Sequence, residues 1–242
     1  MTRKLSEKEE KRFKKAFANK KWPDIASSNS WSIFKIMAEF VSGYQSLARI
    51  GPCVSIYGSA RTQPNKPHYK LAQEIARKIS EAGLGVITGG GPGIMEAANK
   101  GAQEAETSPS VGLNINLPFE QVPNSYQDSD KTLLFDYFFV RKVMFMKYSQ
   151  GFIVMPGGVG TLDELFEALT LIQTDKRAKF PLVLVDSSYW QPLIDWMRDT
   201  MLGEHQYISA EDMNLFKVVD TAQEAVDEIL KFYSKYTIQP NF

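Results

Sequence analysis

The sequence is poor in the residues that mark several large classes of protein. Its 242 residues include one cysteine, Cys53, and two histidines, His68 and His205, so we expect neither an internal disulfide framework nor a Cys/His metal site. No apolar run reaches the roughly 18 residues that a transmembrane helix needs. The first residues are rich in Lys and Glu and lack the apolar segment of a secretory signal. We therefore expect a cytoplasmic protein that needs no metal ion and contacts no membrane.

An excess of charge of one sign is also missing. Lys and Arg together number 28, and Asp and Glu also number 28, so no overall field attracts nucleic acid or an anionic membrane. Residues 1–21 are charged and predict a solvated arm or a loose helix. Acidic residues dilute the basic charge of this arm, and a DNA-binding protein would need a basic surface that the sequence lacks.

Short apolar segments alternate with amphipathic ones along the chain. The strands that this alternation predicts are 54–57, 84–88, 111–117, 152–155 and 182–185, with a short extra strand at 131–135. The predicted helices are 31–49 (capped by Asn29-Ser30), 67–82, 137–147, one from Thr161, 189–202 and 221–235. Alternation of this kind is typical of an α/β fold, a Rossmann-like doubly wound parallel sheet of roughly five to seven strands flanked by helices. We divide the chain into an N-terminal arm and helix (1–49), the α/β domain (50–236) and a tail (237–242).

Three glycine-rich turns follow predicted strands. Their candidate ligand-binding residues are Gly58, Ser59 and Arg61 in the first turn, Gly89, Gly90, Gly91, Met95 and Glu96 in the second, and Gly157, Gly158, Gly160 and Thr161 in the third. Because the carboxyl ends of parallel strands gather in one crevice, we expect the three turns to face each other. Glycine lets a ligand approach the backbone, and the start of a helix favours an anion. Together the turns predict a pocket for a nucleoside monophosphate.

The third turn could also be a tight strand-to-helix turn that contains glycine and binds nothing. The second turn lacks the patterns of two common nucleotide sites. The second turn has no P-loop lysine, and it does not match GxGxxG with an acidic residue about 20 positions further on. Neither an ATPase nor an ordinary dinucleotide site is therefore predicted.

The third turn also carries a family resemblance. Pro156-Gly157-Gly158-Val159-Gly160-Thr161-Leu162-Asp163-Glu164 resembles the PGGxGTxxE signature of the LOG family, and the likeness extends over most of residues 50–235. The second turn resembles the family element GGGxxGxM(E), and Arg141-Lys142 match its RK motif. The sequence is most similar to the longer bacterial branch. The resemblance implies a cytokinin riboside 5′-monophosphate phosphoribohydrolase, which releases the base and ribose 5-phosphate from a cytokinin nucleotide or AMP, with Arg141 and Glu164 as catalytic residues and no cofactor.

The chemistry of these residue types agrees with that implication. Counted from Thr161, Glu164 is the fourth residue of its helix, and Arg141 would balance its charge beside a bound anion. A carboxylate next to the anomeric carbon of a sugar can stabilise an oxocarbenium-like centre or deprotonate water. The alternative for Arg141 and Glu164 is an ordinary salt bridge between helices. For Lys142, a candidate substrate-binding residue, the alternative is a side chain that extends to the surface.

The sequence also bears on two other functions and on the oligomeric state. A decarboxylase that uses pyridoxal phosphate needs a Schiff-base lysine, and no lysine lies in a glycine-rich turn. A non-catalytic nucleotide binder or cofactor carrier could use the same pocket. Met144, Tyr148 or the loop 118–130 could select the base. The apolar helices at 31–49 and 137–148 predict surfaces that need covering, so we expect a homodimer or a larger homo-oligomer.

Overall fold

The computed structural model describes residues 6–18, 22–117, 122–174 and 180–238. The chain divides into two compact units, Met1–Val41 and Ser42–Phe242. Residues 118–121 of the predicted loop and 239–242 of the predicted tail lie outside the described residues. Over the described parts, no helix has both the length and the apolar character needed to cross a membrane.

The first unit contains helix α1 (Glu7–Ala18) and most of helix α2 (Trp22–Leu47). Ser6 and Glu9 hydrogen-bond reciprocally at the start of α1, where backbone N–H groups need acceptors. The predicted start of α2 at 31 was wrong by nine positions, because Pro23 in the first turn is itself a helix-start signal that we did not use. A stripe on α2 stays more than half exposed, formed by Trp31, Phe34, Met37 and Val41.

The second unit is built on a seven-stranded parallel sheet. The strands are β1 (Cys53–Tyr57), β2 (Gly85–Thr88), β3 (Ser110–Ile115), β4 (Thr132–Phe135), β5 (Ser149–Val154), β6 (Leu182–Val185) and β7 (Lys217–Val219). Their order across the sheet is β4-β3-β2-β1-β5-β6-β7. The order runs outward from β1 in one direction and from β5 in the other, so the topological switch point lies between β1 and β5. The predicted fold class is therefore confirmed.

Helices connect the strands and cover the sheet. They are α3 (Pro67–Glu81), α4 (Ile94–Ala105), α5 (Phe138–Tyr148), α6 (Val159–Gln173), α7 (Ser187–Trp196) and α8 (Ala222–Tyr233), and α7 continues into a π-helical segment, Met197–Glu204. Side chains alternate between the two faces of each strand. On β1, Val54 and Ile56 enter one core with α3, α4 and α8. Tyr57 points to the other face, where its ring meets Phe145 of α5 and Phe152 of β5.

Hydrogen bonds between loops hold together the turns at the carboxyl ends of the strands, beside the switch point of the sheet. The backbone N–H of Ser59 donates to the carbonyl of Pro156 over 3.0 Å, and the N–H of Ile94 donates to the carbonyl of Ser59 over 3.0 Å. The first of these bonds joins the turn after β1 to the turn after β5, and the second joins it to the start of α4. The three predicted glycine turns are therefore linked directly or through one another.

Candidate functional site

A cleft of about 560 Å³ opens at the switch point, a volume within the range typical of small-molecule sites. The predicted residues that line it are Gly58, Ser59, Arg61, Gly89, Met95, Arg141, Gly158, Gly160, Thr161 and Glu164. The remaining lining is formed by residues that we did not predict, Tyr57, Ala60, Ile115, Leu117, Phe138, Phe145 and Val159. Residues from all three glycine turns thus meet in one cavity.

The third turn begins its helix earlier than the sequence indicated. Gly158 is the N-cap of α6 and Val159 is its first residue, so the prediction that this helix begins at Thr161 was wrong. Thr161 is instead buried in the first turn beneath Gly157, where a Cβ added to that glycine would come within 2.1 Å of the Thr161 Oγ1. Glycine is needed at 157 for this close approach, and the packed threonine then supports the turn from below.

The earlier start moves Glu164 along the helix. It is the sixth residue of α6 rather than the fourth, so it lies in the second turn, about 9 Å along the axis from the N-cap at 1.5 Å per residue. Glu164 is nevertheless a cleft residue, and it is 5% exposed. The helix therefore presents its N-terminal end and a buried carboxyl group to the same cavity, separated along its length.

The electrostatics of Glu164 are those of a buried acid. Burial raises the pKa of Glu164 to about 7, against the opposing effects of Lys142 and Arg141. Its Oε2 atom is buried and accepts no hydrogen bond. Within the described residues, its ion-pair partner within 4 Å is Lys142, whose Nζ lies 3.8 Å from Oε2. That separation is too long for a hydrogen bond, so the carboxyl group keeps acceptor capacity for a ligand.

Arg141 reaches the cleft from α5 between two aromatic rings. The centre of its guanidinium lies 5.2 Å from the Phe138 ring and 5.8 Å from the Phe145 ring. One terminal nitrogen is 3.5 Å from the carbonyl of Leu113, and the buried Nε has no hydrogen-bond partner. Burial lowers the pKa of Arg141, while the charge of Glu164 acts in the opposite direction.

The expected alternative for this pair, an ordinary salt bridge, is not what the geometry shows. Among the ion pairs between described residues, Arg141 and Glu164 are not joined. Three described side chains hold a buried polar atom without a hydrogen-bond partner, namely Tyr57, Arg141 and Glu164, and all three line the cleft. Since buried polar groups in proteins are nearly always paired, this concentration indicates a site prepared for a ligand.

Five predicted binding residues do not line the cleft: Gly90, Gly91, Glu96, Lys142 and Gly157. The Glu96 carboxylate accepts a hydrogen bond from the Tyr69 hydroxyl over 2.7 Å. Lys142 binds Glu167 over 2.6 Å and Asp163 over 2.9 Å. A direct contact of these residues with a ligand stays a prediction.

Gly90 ties the second turn to the loop beyond β3. It has a φ of +71°, a conformation that favours glycine. Its carbonyl accepts hydrogen bonds from the backbone and side chain of Asn124 over 2.8 and 3.0 Å, and from Gln127 over 2.8 Å. The described part of the loop 118–130 is therefore fastened to the second turn. Met144 and Tyr148, named as possible selectors of the base, lie outside the cleft lining.

The aromatic walls could have been found from helical spacing. Phe138 and Phe145 stand three residues before and four residues after Arg141, and such positions share one face of a helix. Tyr57 directly precedes Gly58, but every residue of its strand is buried. No pattern in the sequence therefore distinguishes Tyr57, as a cleft residue, from the core residues beside it.

The fold and the cleft together define a class, an α/β protein with a pocket at the switch point of its sheet and with a partly buried arginine and a buried glutamate in that pocket. The family model described as "Possible lysine decarboxylase" matches residues 95–229. The chain belongs to this family, the LOG family.

Three relatives illustrate the similarity. A protein of Mycobacterium tuberculosis named cytokinin riboside 5′-monophosphate phosphoribohydrolase is 31% identical over 159 residues, which cover 65% of this chain and 82% of that protein. A pyrimidine/purine nucleotide 5′-monophosphate nucleosidase of Escherichia coli K12 is 28% identical over 58% of this chain and 33% of its own length. A Moco carrier protein from Chlamydomonas reinhardtii superposes with a TM-score of 0.55 at 22% identity, covering 76% of this chain and 99% of that one. That last match shows the shared fold.

Proposed function

We propose that this chain is a hydrolase that cleaves the N-glycosidic bond of a nucleoside 5′-monophosphate, either AMP or a cytokinin riboside 5′-monophosphate. The products are the free base and ribose 5-phosphate. The observation that carries the proposal is the pair of unsatisfied buried atoms, Arg141 Nε and Glu164 Oε2, in the wall of one cleft.

The phosphate binds at the N-terminus of α6. Gly158, Val159 and Gly160 are exposed there and line the cleft. The first N–H groups of a helix have no partner within the helix, and the helix dipole favours an anion at this end. The phosphate then acts as a handle, and its binding energy positions the sugar for reaction.

The sugar extends from that phosphate toward Glu164. The phosphate and the anomeric carbon stand at opposite ends of ribose 5-phosphate, so a carboxyl group further along α6 is placed for the reacting carbon. In its ionised form, Glu164 stabilises the oxocarbenium-like centre or accepts a proton from the attacking water. A pKa of about 7 lets the same group exchange protons near neutral pH.

Arg141 and the aromatic walls complete the pocket. The guanidinium supplies positive charge beside the carboxylate and the sugar, and the rings on either side hold it in place. Phe138 and Leu117 provide apolar surface against which a purine base can stack. A decarboxylase using pyridoxal phosphate would need a lysine in this pocket to form its Schiff base. The described lining contains no lysine.

The names of the relatives support the same class of reaction. Both the phosphoribohydrolase of M. tuberculosis and the nucleosidase of E. coli are named for the cleavage of nucleoside monophosphates. The Moco carrier protein has a related fold, and its name describes a protein that carries a cofactor. The experiment below therefore also tests the alternative, a non-catalytic nucleotide-binding or cofactor-carrier protein.

The deciding experiment incubates the protein with AMP, a cytokinin riboside 5′-monophosphate and the matching nucleosides, and measures the free base by chromatography. We expect release of base from the monophosphates and little from the nucleosides. Equal turnover of AMP and adenosine would remove the role of the phosphate. Binding of all the monophosphates by calorimetry without release of base would favour the carrier.

A further inference from the structure

A tyrosine outside the cleft holds the turn that we assign to the phosphate. Tyr189, the third residue of α7, donates a hydrogen bond from its hydroxyl to the carbonyl oxygen of Gly157 over 2.5 Å. Thr161 packs against Gly157 from within α6. The turn is thus held by a side chain of its own helix and by a second side chain from the first turn of α7.

The bond to Gly157 has a direct consequence for the next amide. The peptide group between Gly157 and Gly158 is planar and trans, so its carbonyl oxygen and its N–H point in opposite directions. With the oxygen fixed on Tyr189, the N–H of Gly158 is turned away from Tyr189. Gly158 is the N-cap of α6 and a lining residue of the cleft.

We propose that Tyr189 is a positioning residue, which fixes the Gly157–Gly158 peptide so that the N–H of Gly158 donates to the phosphate of the substrate. The inference rests on the proposed function, since it takes the anion at this turn to be a nucleotide phosphate. It goes further by assigning a role to a residue that lies outside both the signature motif and the cleft lining.

Tyr189 is itself held in place by Asp186. The Asp186 carboxylate accepts hydrogen bonds from the Tyr189 backbone N–H over 3.2 Å and from the Ser188 hydroxyl over 2.6 Å. Its other oxygen lies 2.7 Å from Nε2 of His68 in the first turn of α3. Asp186 has a φ of +80°, a sparsely populated conformation for a residue with a side chain, and such conformations persist where the surroundings impose them. This series of contacts connects the turn after β5 to the start of α7 and to the first turn of α3.

The test compares two tyrosines that bond the same segment of chain. Tyr189→Phe removes the hydroxyl that holds the turn after β5. The matched control is Tyr233→Phe, because the hydroxyl of Tyr233 donates to the carbonyl of Gln150, near the opposite end of β5. Each change deletes one hydroxyl that donates to a backbone carbonyl, and only the first is next to the proposed phosphate site.

For Tyr189→Phe we expect the KM for AMP to rise about 3- to 10-fold, the range that corresponds to one hydrogen bond, with kcat within about twofold of the parent. The inhibition constant of ribose 5-phosphate should rise by the same factor, and that of adenine should not change. Tyr233→Phe should lower only the melting temperature.

Two results would overturn the proposal. One is a Tyr189→Phe variant that loses stability but binds ribose 5-phosphate as the parent does. The other is an equal weakening of ribose 5-phosphate and adenine, which would mean general loosening of the cleft. If the parent cleaves no nucleotide, the proposed function fails separately, and calorimetric binding of ribose 5-phosphate to the parent and to Tyr189→Phe still decides the role of Tyr189.

Discussion

Replacement of Glu164 by Gln should make the protein inactive and more stable, and the gain in stability should depend on pH. The ordinary pKa of a glutamate is near 4.5, and burial raises that of Glu164 to about 7. At about 1.4 kcal/mol per pKa unit, the difference corresponds to about 3 kcal/mol of destabilisation when the group is ionised. The group is almost fully buried, so solvent screening reduces this figure little.

The destabilisation grows with pH because the pKa of Glu164 is higher in the folded chain than in the unfolded chain. Below pH 4.5 the carboxyl group is protonated in the folded and unfolded chains alike, and it contributes no penalty. Between pH 4.5 and 7 the unfolded chain releases its proton first, so the folded state loses relative stability as the pH rises. Above pH 7 the full penalty applies. The advantage of Glu164→Gln over the parent should therefore be about 3 kcal/mol larger at pH 8 than at pH 4.5.

Urea denaturation at the two pH values measures this difference. The matched control is Asp163→Asn, which removes the neighbouring carboxylate at an exposed position that also contacts Lys142. In parallel, kcat for AMP should fall by about 10²- to 10⁴-fold in Glu164→Gln while AMP binds at least as tightly. Parental activity in Glu164→Gln would show that Glu164 is a structural residue. An equal stability difference between variant and parent at pH 4.5 and pH 8 would show that its pKa is not raised by burial, and would refute the reasoning.

Four further outcomes follow from the same geometry. Arg141→Ala should lower kcat and also weaken AMP binding, measured by steady-state kinetics and calorimetry, because it removes the positive charge beside Glu164. Lys142→Met should move the acidic limb of the kcat/KM profile to higher pH, since Lys142 opposes the raised pKa of Glu164; an unmoved limb would separate the two groups. Gly157→Ala should destabilise the fold, while Gly160→Ala, whose added Cβ meets open space, should fold normally in thermal melts. Finally, light scattering at micromolar concentration should show a homodimer or a multiple of it, and a monomer would contradict the expectation based on the exposed stripe of α2.

The sheet was predictable because its strands are local features. Each is a short apolar run bounded by glycine or polar residues, and helical periodicity separates most of them. The strand that escaped prediction, β7, has three residues at one edge of the sheet, and two of them are exposed. Burial on both faces, the signal that identifies the inner strands, is absent there.

The site was predictable in its motifs and not in its contacts. The glycine turns and the positions of Arg141 and Glu164 can be read from spacing. The grouping of Lys142 with Asp163 and Glu167 depends on the packing of α5 against α6, and the contact of Tyr189 with Gly157 joins residues 32 positions apart. Such pairings arise from tertiary structure, so no local pattern announces them.

The character of Glu164 also bears on whether the protein is an enzyme or a carrier. A site that only holds a phosphate gains from every positive charge and hydrogen-bond donor it contains, and a nearby carboxylate weakens it. In this cleft a carboxyl group is instead buried without a hydrogen bond at Oε2, near two cations that do not fully offset the effect of burial on its pKa. An unsatisfied buried polar group typically costs about 1–3 kcal/mol. In a carrier, this carboxyl group would lower the stability of the protein and also weaken the binding of an anionic ligand. A glycosidic hydrolase, by contrast, needs a carboxylate whose interactions strengthen as positive charge develops on the sugar. The arrangement therefore favours catalysis over simple binding.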